Sequence, residues 1–406
     1  MADGVIQLQC ECKHDAWGKK GNESLAGRLW SQMPGASPLD DSETYSEMWM
    51  GTYPSVPSRL ASSGELLSDH VKRNPSLLGE TYCERYRREV PFLPKILSFA
   101  KALPLQLHPD KKLAEKLHAQ DPIKFGDTNH KPEIAVALTR FELFVGFKPI
   151  GELADILRLG PLQTILPQHE VVNEGILREV CRTLLQISSN TVSDVVKNLK
   201  AIPLSELGEK NQYIPNLLER LSEQYSDSDN GLLVASLLMN FMTLEPGQAV
   251  CVPADSIHAW LSGDILECMA RSDNVLNTGF CPRASRDNIE LFTSALTFKP
   301  HDQEAALLPA RPSLMGINEK TVKYTPPFSE FNVLATNLAA KESETHTDLQ
   351  APSILVVTGG SGTMKVLGDG KTLNLSEGSV FFAGPEAKLQ FATGNGIMIY
   401  RAYATL

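Results

Sequence analysis

The chain lacks an excess of basic residues, a long apolar run and a regular pattern of cysteines. Its 406 residues carry a formal net charge of −10, which disfavours nucleic acid or an anionic membrane as the main partner. No stretch reaches the ~18 apolar residues of a membrane span, and the first residues have neither the basic nor the apolar region of a signal peptide. The seven cysteines are scattered, so we expect reduced thiols and a cytoplasmic location.

What the chain does contain is the composition of a globular protein of two or three domains. Residues 1–150 are rich in Pro, Gly and Ser with short strand-like runs, whereas the apolar residues of 151–237 recur at helical spacing. From about residue 238, short β runs alternate with Gly and Pro turns, which is typical of a sandwich or jelly roll. The sequence therefore predicts a mainly β protein with an insertion of four or five helices.

Two segments of the chain resemble each other. Residues 244–255, LEPGQAVCVPAD, and residues 375–386, LSEGSVFFAGPE, each place a turn glycine before an apolar strand and a small-residue turn. Continuing the alignment without gaps sets Leu389 opposite His258. We therefore predict two related β modules, of which only the first keeps a metal-ligating residue at this position.

The segment LQLHPDKK contains the His-Pro-Asp tripeptide of the J-domain of Hsp40 co-chaperones. A J-domain places this tripeptide after a long unbroken basic helix. Upstream of His108, however, lie Pro91, Pro94 and Pro104, and each interior proline costs a helix ~3 kcal/mol or more. The co-chaperone interpretation is therefore excluded.

A metal site is the better interpretation of His108. On a strand, Gln106 and His108 project from the same face, where a solvated polar pair is the simpler alternative. Glu133 opens an apolar run and His258 follows a buried-looking strand. Two imidazoles, a carboxylate and an amide oxygen make a plausible divalent-cation site, although glutamine is an unusual zinc ligand.

These segments together resemble the type I mannose-6-phosphate isomerases, also called phosphomannose isomerases. The resemblance covers nearly the whole chain in the same order. The shared segments are CKHDAWGKKG, YSEMWMGTYPSVPS, LQLHPDKKLAEKLHAQDP, NHKPEIAVALTRFELFVGF, HAWLSGDILECMARSDN, VKYTPPFSEFNVL and PSILVVTGGSGTM.

The resemblance implies a domain organisation, a cofactor and a reaction. It implies a catalytic cupin-like zinc domain formed by 1–150 and 238–310, a helical insertion at 151–237, and a metal-free cupin-like domain at 311–406. The reaction would interconvert mannose 6-phosphate and fructose 6-phosphate in a monomer with one zinc ion. The implied zinc ligands are Gln106, His108, Glu133 and His258. The implied proton-transfer groups are Lys131 and Glu267, and the implied substrate-binding residues are Trp17, Arg271, Asp273 and Arg283.

The departures from the family pattern lie around the implied substrate pocket. Asn277 stands where the family has an arginine regarded as catalytic, and an amide cannot replace a charged, forked guanidinium. Arg283 keeps the positive charge of a family lysine, and Arg271 is an extra guanidinium. The remaining departures are Asp15 for tyrosine, Tyr53 for histidine, Pro104 for serine, Leu107 for alanine and Trp260 for tyrosine.

Two functions from different classes follow from this pattern. The first is a zinc-dependent sugar-phosphate isomerase whose activity is weak or whose substrate is altered. The second is a catalytically silent paralogue that binds zinc and a sugar, or acts as a regulatory or interaction protein. Asn277 and Pro104 separate them, because the isomerase needs Arg271 or Arg283 to supply what these two positions have lost.

Overall fold

Strands from both ends of the chain build two large antiparallel sheets in the computed structural model, which describes residues 4–167, 171–328, 330–368 and 370–405. The first sheet consists of β2 (Glu11–Lys13), β5 (Glu47–Trp49), β7 (Phe92–Phe99), β8 (Leu105–Leu107), β9 (Glu133–Ala137), β10 (Phe141–Phe147), β11 (Met239–Leu244), β12 (Ala249–Val252), β13 (His258–Ala270) and β14 (Leu276–Gly279). The second sheet consists of β1 (Val5–Gln9), β6 (Arg59–Leu60), β15 (Arg311–Pro312), β16 (Thr321–Tyr324), β17 (Phe331–Leu338), β18 (Ser343–His346), β19 (Ser353–Leu367), β20 (Thr372–Ser376), β21 (Val380–Ala383), β22 (Lys388–Ala392) and β23 (Ile397–Ala404). A separate ribbon pairs β3 (Lys19–Lys20) with β4 (Thr44–Tyr45).

Most of the longer helices lie in the segment between β10 and β11. The α-helices are α1 (Leu25–Ser31), α2 (Leu67–Arg73), α3 (Glu80–Arg85), α4 (Lys111–Gln120), α5 (Ile150–Ile156), α6 (Glu174–Gln186), α7 (Ser189–Lys200), α8 (Ile214–Gln224), α9 (Asn230–Leu233) and α10 (Ile289–Ala295). Short 3₁₀ helices occupy Gly21–Glu23, Pro75–Leu77, Gly160–Leu162, Leu204–Glu206, Glu209–Asn211, Arg283–Ser285 and Gln303–Ala306, and Val234–Leu238 forms a π-helical turn. Over the described ranges, no helix combines the length and the apolar character needed to cross a bilayer.

The helical insertion forms because its apolar residues recur on one face. In α6 the buried side chains include Leu177, Val180 and Leu184, a spacing that places them on one stripe. Asn173 caps this helix by accepting a hydrogen bond from the main-chain N–H of Ile176. The stripe packs into a core shared with β8 and β10, and the predicted mainly β fold with a helical insertion is confirmed.

The segment upstream of His108 is a strand and not the first helix of a J-domain. Phe92–Phe99 forms β7, which is buried along its whole length. Downstream, α4 begins at Lys111, and the Asp110 side chain caps it by accepting from the N–H of Leu113. The exclusion of the co-chaperone interpretation therefore agrees with the structure.

The two sheets repeat the same order of strands. The first contains the series β12-β9-β13-β7-β5-β2, and the second contains β21-β19-β23-β17-β16-β15. In the first series Glu133 lies between Val252 and Met269; in the second, Ser353 lies between Ala383 and Tyr403. The predicted relation between the two modules is therefore a register-by-register correspondence, in which Ser353 takes the place of Glu133.

The first strand of the chain does not pair within the first module. β1 lies between β21 and β6 in the second sheet, and Leu8 pairs with both Val380 and Leu60. The side chain of Leu8 is fully buried in a core that combines residues of both modules. The N-terminal strand thus joins the two modules.

A buried guanidinium lies in the second module at the position that corresponds to Glu267. Arg401 is 1% exposed, its Nε donates to Ser353 Oγ at 3.0 Å and its Nη1 lies 3.4 Å from His346 Nδ1. His346 pairs with Leu389 in β22, as Gln106 pairs with His258 in β13. The second module therefore places a cationic side chain among the counterparts of Gln106 and Glu133.

Candidate metal centre

The side chains of β8 (Leu105–Leu107) alternate between two different faces of the sheet. Leu105 and Leu107 are fully buried in the core shared with the helical insertion. Gln106 therefore projects from the opposite face, where it pairs with His258 on one side and Asn277 on the other. Neighbouring cross-strand side chains on one face lie close together, so the sheet itself assembles His258, Gln106 and Asn277 in a row.

Two further side chains with metal-ligating atoms, His108 and Glu133, lie close to His258 of this row. Nitrogen or oxygen atoms of His108, Glu133 and His258 all lie within 4.8 Å of one another. The three residues are at most 1% exposed. His258 Nε2 lies 2.9 Å from Glu133 Oε1, and His108 Nε2 lies 3.3 Å from Glu133 Oε2, yet within the described part of the chain neither Nε2 nor Glu133 Oε1 has a hydrogen bond of acceptable geometry. Buried polar atoms are almost always bonded, so these unmatched atoms are suited to be the ligands of a cation.

The outer nitrogens of both imidazoles are held by main-chain carbonyls. His108 Nδ1 lies 2.9 Å from the Asn274 oxygen, and His258 Nδ1 lies 3.0 Å from the Ser256 oxygen. Each Nδ1 must donate there, which leaves the Nε2 lone pair free to bind a metal ion, and such fixation of the ring is typical of metal-ligating histidines. Two neutral imidazoles and a carboxylate fit zinc.

The electrostatics of the ligands agree with this assignment. Burial, together with the nearby charge of Lys131, lowers the pKa of His108 to about 3, so its imidazole is neutral near neutral pH. Burial would raise the pKa of Glu133, but the two histidines lower it well below its ordinary value. The site thus offers the protonation states that a metal ion requires.

The two candidate proton-transfer groups face the same interior. Lys131 lies two residues before Glu133 and is 7% exposed, with its Nζ 3.9 Å from Asp273 Oδ1. Glu267 Oε1 accepts a 3.0 Å hydrogen bond from the indole N–H of Trp260. Burial, followed by the charge of Glu133, raises the pKa of Glu267 above its ordinary value, although the charges of Lys95 and Lys131 act in the opposite direction.

Glu267 belongs to a buried network of charged side chains that the sequence did not reveal. Lys95 Nζ lies 3.6 Å from Glu267 Oε2 and 3.3 Å from Glu47 Oε2, and 3.9 Å from the centroid of the Trp49 ring. Burial would raise the pKa of Glu47, but Lys95 and Lys13 lower it to about 2. The Lys95 ammonium therefore lies between two carboxylates, and only the β5–β7–β13 pairing brings these residues together.

Replacing Lys95 by methionine is expected to lower the free energy of unfolding by about 3–5 kcal/mol, because the buried charge of Glu47 loses this cation. Urea denaturation measures this change. Lys13→Met is the matched control, since Lys13 also pairs with Glu47 but its side chain is 36% exposed, and its loss should cost less than about 1 kcal/mol. Equal effects of the two substitutions would contradict the assignment.

Asn277 faces the metal centre without a guanidinium. Its main-chain N–H donates to Asp287 Oδ2 at 2.8 Å, which fixes the strand, while its side-chain Oδ1 is buried and has no partner. Arg271 does not take its place. Its Nη1 pairs with Glu89 at 2.8 Å and its guanidinium lies over the Tyr53 ring.

Arg271 belongs to a polar cluster at one rim of the centre. Tyr53 donates to Asp127 Oδ2 at 2.9 Å, and the same oxygen accepts from the N–H of Asp273 at 3.2 Å. Tyr53, which replaces a family histidine, thus bridges Arg271 and the segment before Lys131. Asp273 is close to Lys131, and the structure brings Arg271 and Asp273 into one group.

Trp17 and Arg283 belong to a different group. Both line a cavity of about 500 Å³ together with Lys101, Pro104 and Arg286. Arg286 is paired with Asp229 at 2.7 Å, and Arg283 donates to the Ser189 hydroxyl. The predicted substrate residues therefore divide between a rim beside Lys131 and a cavity beside Pro104.

Comparisons with known proteins identify relatives of this arrangement. Residues 5–150 match the sequence model of the family described as phosphomannose isomerase type I, catalytic domain. The chain is 34% identical to a mannose-6-phosphate isomerase of Candida albicans and 36% identical to one of Eremothecium gossypii, in each case over 99% of both chains. A crystal structure of a mannose 6-phosphate isomerase bound with zinc and yttrium superposes with a TM-score of 0.82 at 27% identity, and a variant of the Salmonella typhimurium phosphomannose isomerase with 0.83 at 27%, each over 100% of both chains.

Proposed function

Because the chain belongs to the type I phosphomannose isomerase family, we propose that it is a zinc-dependent aldose–ketose isomerase acting on mannose 6-phosphate and fructose 6-phosphate. The observation that carries this proposal is the convergence of buried, unpartnered atoms of His108, Glu133 and His258 within 4.8 Å. Gln106, the cross-strand neighbour of His258, is proposed as the fourth ligand. When bound, zinc would act as a Lewis acid that stabilises negative charge on the sugar oxygens.

The reaction requires protons to move between two carbons and between two oxygens of the sugar. We propose Lys131 and Glu267 for these transfers, since both are buried and project toward the ligands. Glu267 is held by the Trp260 indole and by Lys95, and the raised pKa of its carboxyl suits a group that donates a proton. Asp273, which is near Lys131, is proposed to orient the lysine and contact the substrate.

The phosphate end of the substrate is proposed to enter the cavity lined by Trp17 and Arg283. Arg283 presents a forked donor suited to phosphate, and Lys101 adds a second positive charge at the same cavity. Pro104 lacks the hydroxyl that the family serine would offer there. The cavity therefore keeps its charge but has fewer hydrogen-bond donors, which favours weak binding or a different phosphorylated sugar.

A second candidate function follows from Asn277. Among the residues that the structure describes, the row of His258 and Gln106 continues with Asn277 and not with an arginine, and Arg271 pairs with Glu89. A preorganised charged donor is typically worth about 10²–10³ in rate. A chain without it can bind zinc and a sugar yet turn over slowly or not at all, which is the catalytically silent alternative.

The test measures zinc content and isomerisation on the same preparation. We expect about one zinc per chain by atomic emission, since one ligand set is assembled, and measurable conversion of mannose 6-phosphate to fructose 6-phosphate that chelation abolishes. Zinc without turnover would favour the silent alternative. A protein that binds no zinc would contradict the metal centre itself.

The proposal includes the domain division, the cellular location and the oligomeric state. The proposed division is a catalytic cupin-like domain (1–150 and 238–310), a helical insertion (151–237) and a second cupin-like domain (311–406). The two sheets support it, although β1 and β6 of the first range lie in the second sheet. Free thiols at all seven cysteines agree with a cytoplasmic enzyme. A monomer is proposed because each chain supplies a full set of ligands.

A further inference from the structure

A short side-chain contact joins the second module to the segment that contains Lys131. His130 Nε2 lies 2.6 Å from Glu330 Oε1, and the two side chains are 26% and 14% exposed. Glu330 immediately precedes β17 of the second sheet, whereas His130 immediately precedes Lys131 of the first module. Glu330 of the second module thus binds His130, the residue next to Lys131 in the sequence.

The backbone around Lys131 is fixed on its other sides by the first module. The Asn129 carbonyl accepts hydrogen bonds from Ser272 and from the Asn274 side chain, each at 3.3 Å. The Pro132 carbonyl accepts from the N–H of Ala270 at 3.1 Å. Because Lys131 precedes a proline, its own backbone is restricted to extended conformations. His130 is the one position in this short run whose side chain is anchored by the second module.

Glu330 is itself held in place for this contact. Its main-chain carbonyl accepts from the N–H of Thr405 at 3.2 Å, which ties it to the end of the chain. Burial would raise the pKa of Glu330, but the hydrogen bond and charge of His130, with a smaller contribution from Lys111, lower it. The carboxylate is therefore ionised and its Oε1 is available as a strong acceptor.

We infer that Glu330 is a positioning residue of the isomerase, which acts through His130 to fix the direction of the Lys131 side chain. The inference rests on the proposed function, in which Lys131 transfers a proton. An ammonium on a four-carbon stem has many conformers, and misplacement of a reacting group by about 1 Å can cost on the order of 10²-fold in rate. Anchoring the preceding residue reduces that freedom from outside the first module.

The experiment compares Glu330→Leu, which removes the acceptor of His130, with the unmodified protein in the zinc-loaded state. We expect kcat for mannose 6-phosphate to fall about tenfold, a smaller loss than full misplacement because the other anchors remain. KM should change less than about twofold and the zinc content should not change, because neither the ligands nor the cavity is altered. His130→Gln, which can still donate to Glu330, should keep most of kcat, whereas His130→Leu should lose as much as Glu330→Leu.

Two controls make the outcome decisive. Glu342→Leu removes another ion pair of the second module, with Lys320, and should leave kcat unchanged. Hydrogen exchange of segment 127–133 should accelerate in Glu330→Leu and His130→Leu but not in His130→Gln.

The possible outcomes separate the inference from the proposed function. An inactive unmodified protein would overturn the proposed function, and the exchange rates would still decide the inference. Unchanged kcat and exchange in Glu330→Leu, equal losses in His130→Gln and His130→Leu, or zinc loss in proportion to kcat would overturn the inference. If Glu330→Leu fails to fold, the two His130 variants carry the same test.

Discussion

Replacing His258 by leucine is expected to abolish both metal binding and catalysis. His258 is fully buried and its Nε2 faces the other ligands without a hydrogen-bond partner, so leucine removes a ligand and puts an apolar group in its place. Loss of an outer-shell partner alone costs 10–100-fold in metal affinity, and loss of a ligand should exceed that. Because the metal ion contributes several kcal/mol, activity should fall by about 10³ or more.

Atomic emission and the coupled isomerase assay measure these losses. His346→Leu is the matched control, because His346 is equally buried but lies in the second module, against Arg401 and Thr336. This control should retain its zinc and its turnover even where it lowers stability. Zinc loss in both variants would mean that general unfolding, and not ligand removal, causes the effect.

Introducing an arginine at Asn277 is expected to raise kcat/KM for mannose 6-phosphate by about 10², the amount that one preorganised charged donor typically contributes. Asn277 pairs directly with Gln106, so the new side chain would project onto the ligand face. The unpartnered Oδ1 of Asn277 shows that no existing hydrogen bond of this side-chain oxygen is lost.

Asn277→Gln separates charge from length and should give no gain. Steady-state kinetics should be run beside the Candida albicans relative, which is 34% identical. Should the unmodified chain already match that enzyme, the emphasis on Asn277 would be wrong, and another donor must act in place of the arginine. A gain with glutamine as well would assign the effect to packing.

The metal centre could be predicted from the sequence because its residues obey simple local rules. Gln106 lies on β8 and His108 directly follows this strand, and the register of β8 against β13 brings Gln106 beside His258. The repeat of residues 244–255 likewise fixed the alignment of the second module, since strand periodicity survives where side chains diverge.

The supporting groups could not be predicted in this way. Lys95, Glu47 and Glu330 lie in segments whose neighbours are set by long-range pairing, and a lone charged residue in a sequence is usually a solvated one. The placement of β1 in the second sheet had no local signal either, because a strand carries no mark of the sheet edge it joins. The sequence identifies Asn277 and Arg271 as departures from the family pattern. The ion pair between Arg271 and Glu89 is visible only in the structure.

Because Arg401 is buried in the second module, the two modules differ in whether their central positive charge depends on free metal ions in solution. The first module would hold its positive charge as a bound metal ion, which can dissociate. The second module carries its positive charge on the Arg401 side chain, which donates a hydrogen bond to Ser353 and lies beside His346. We therefore expect chelators and zinc scarcity to act first on the module that binds the ion. The module that contains Arg401, and with it Glu330, does not depend on a bound ion for its buried positive charge.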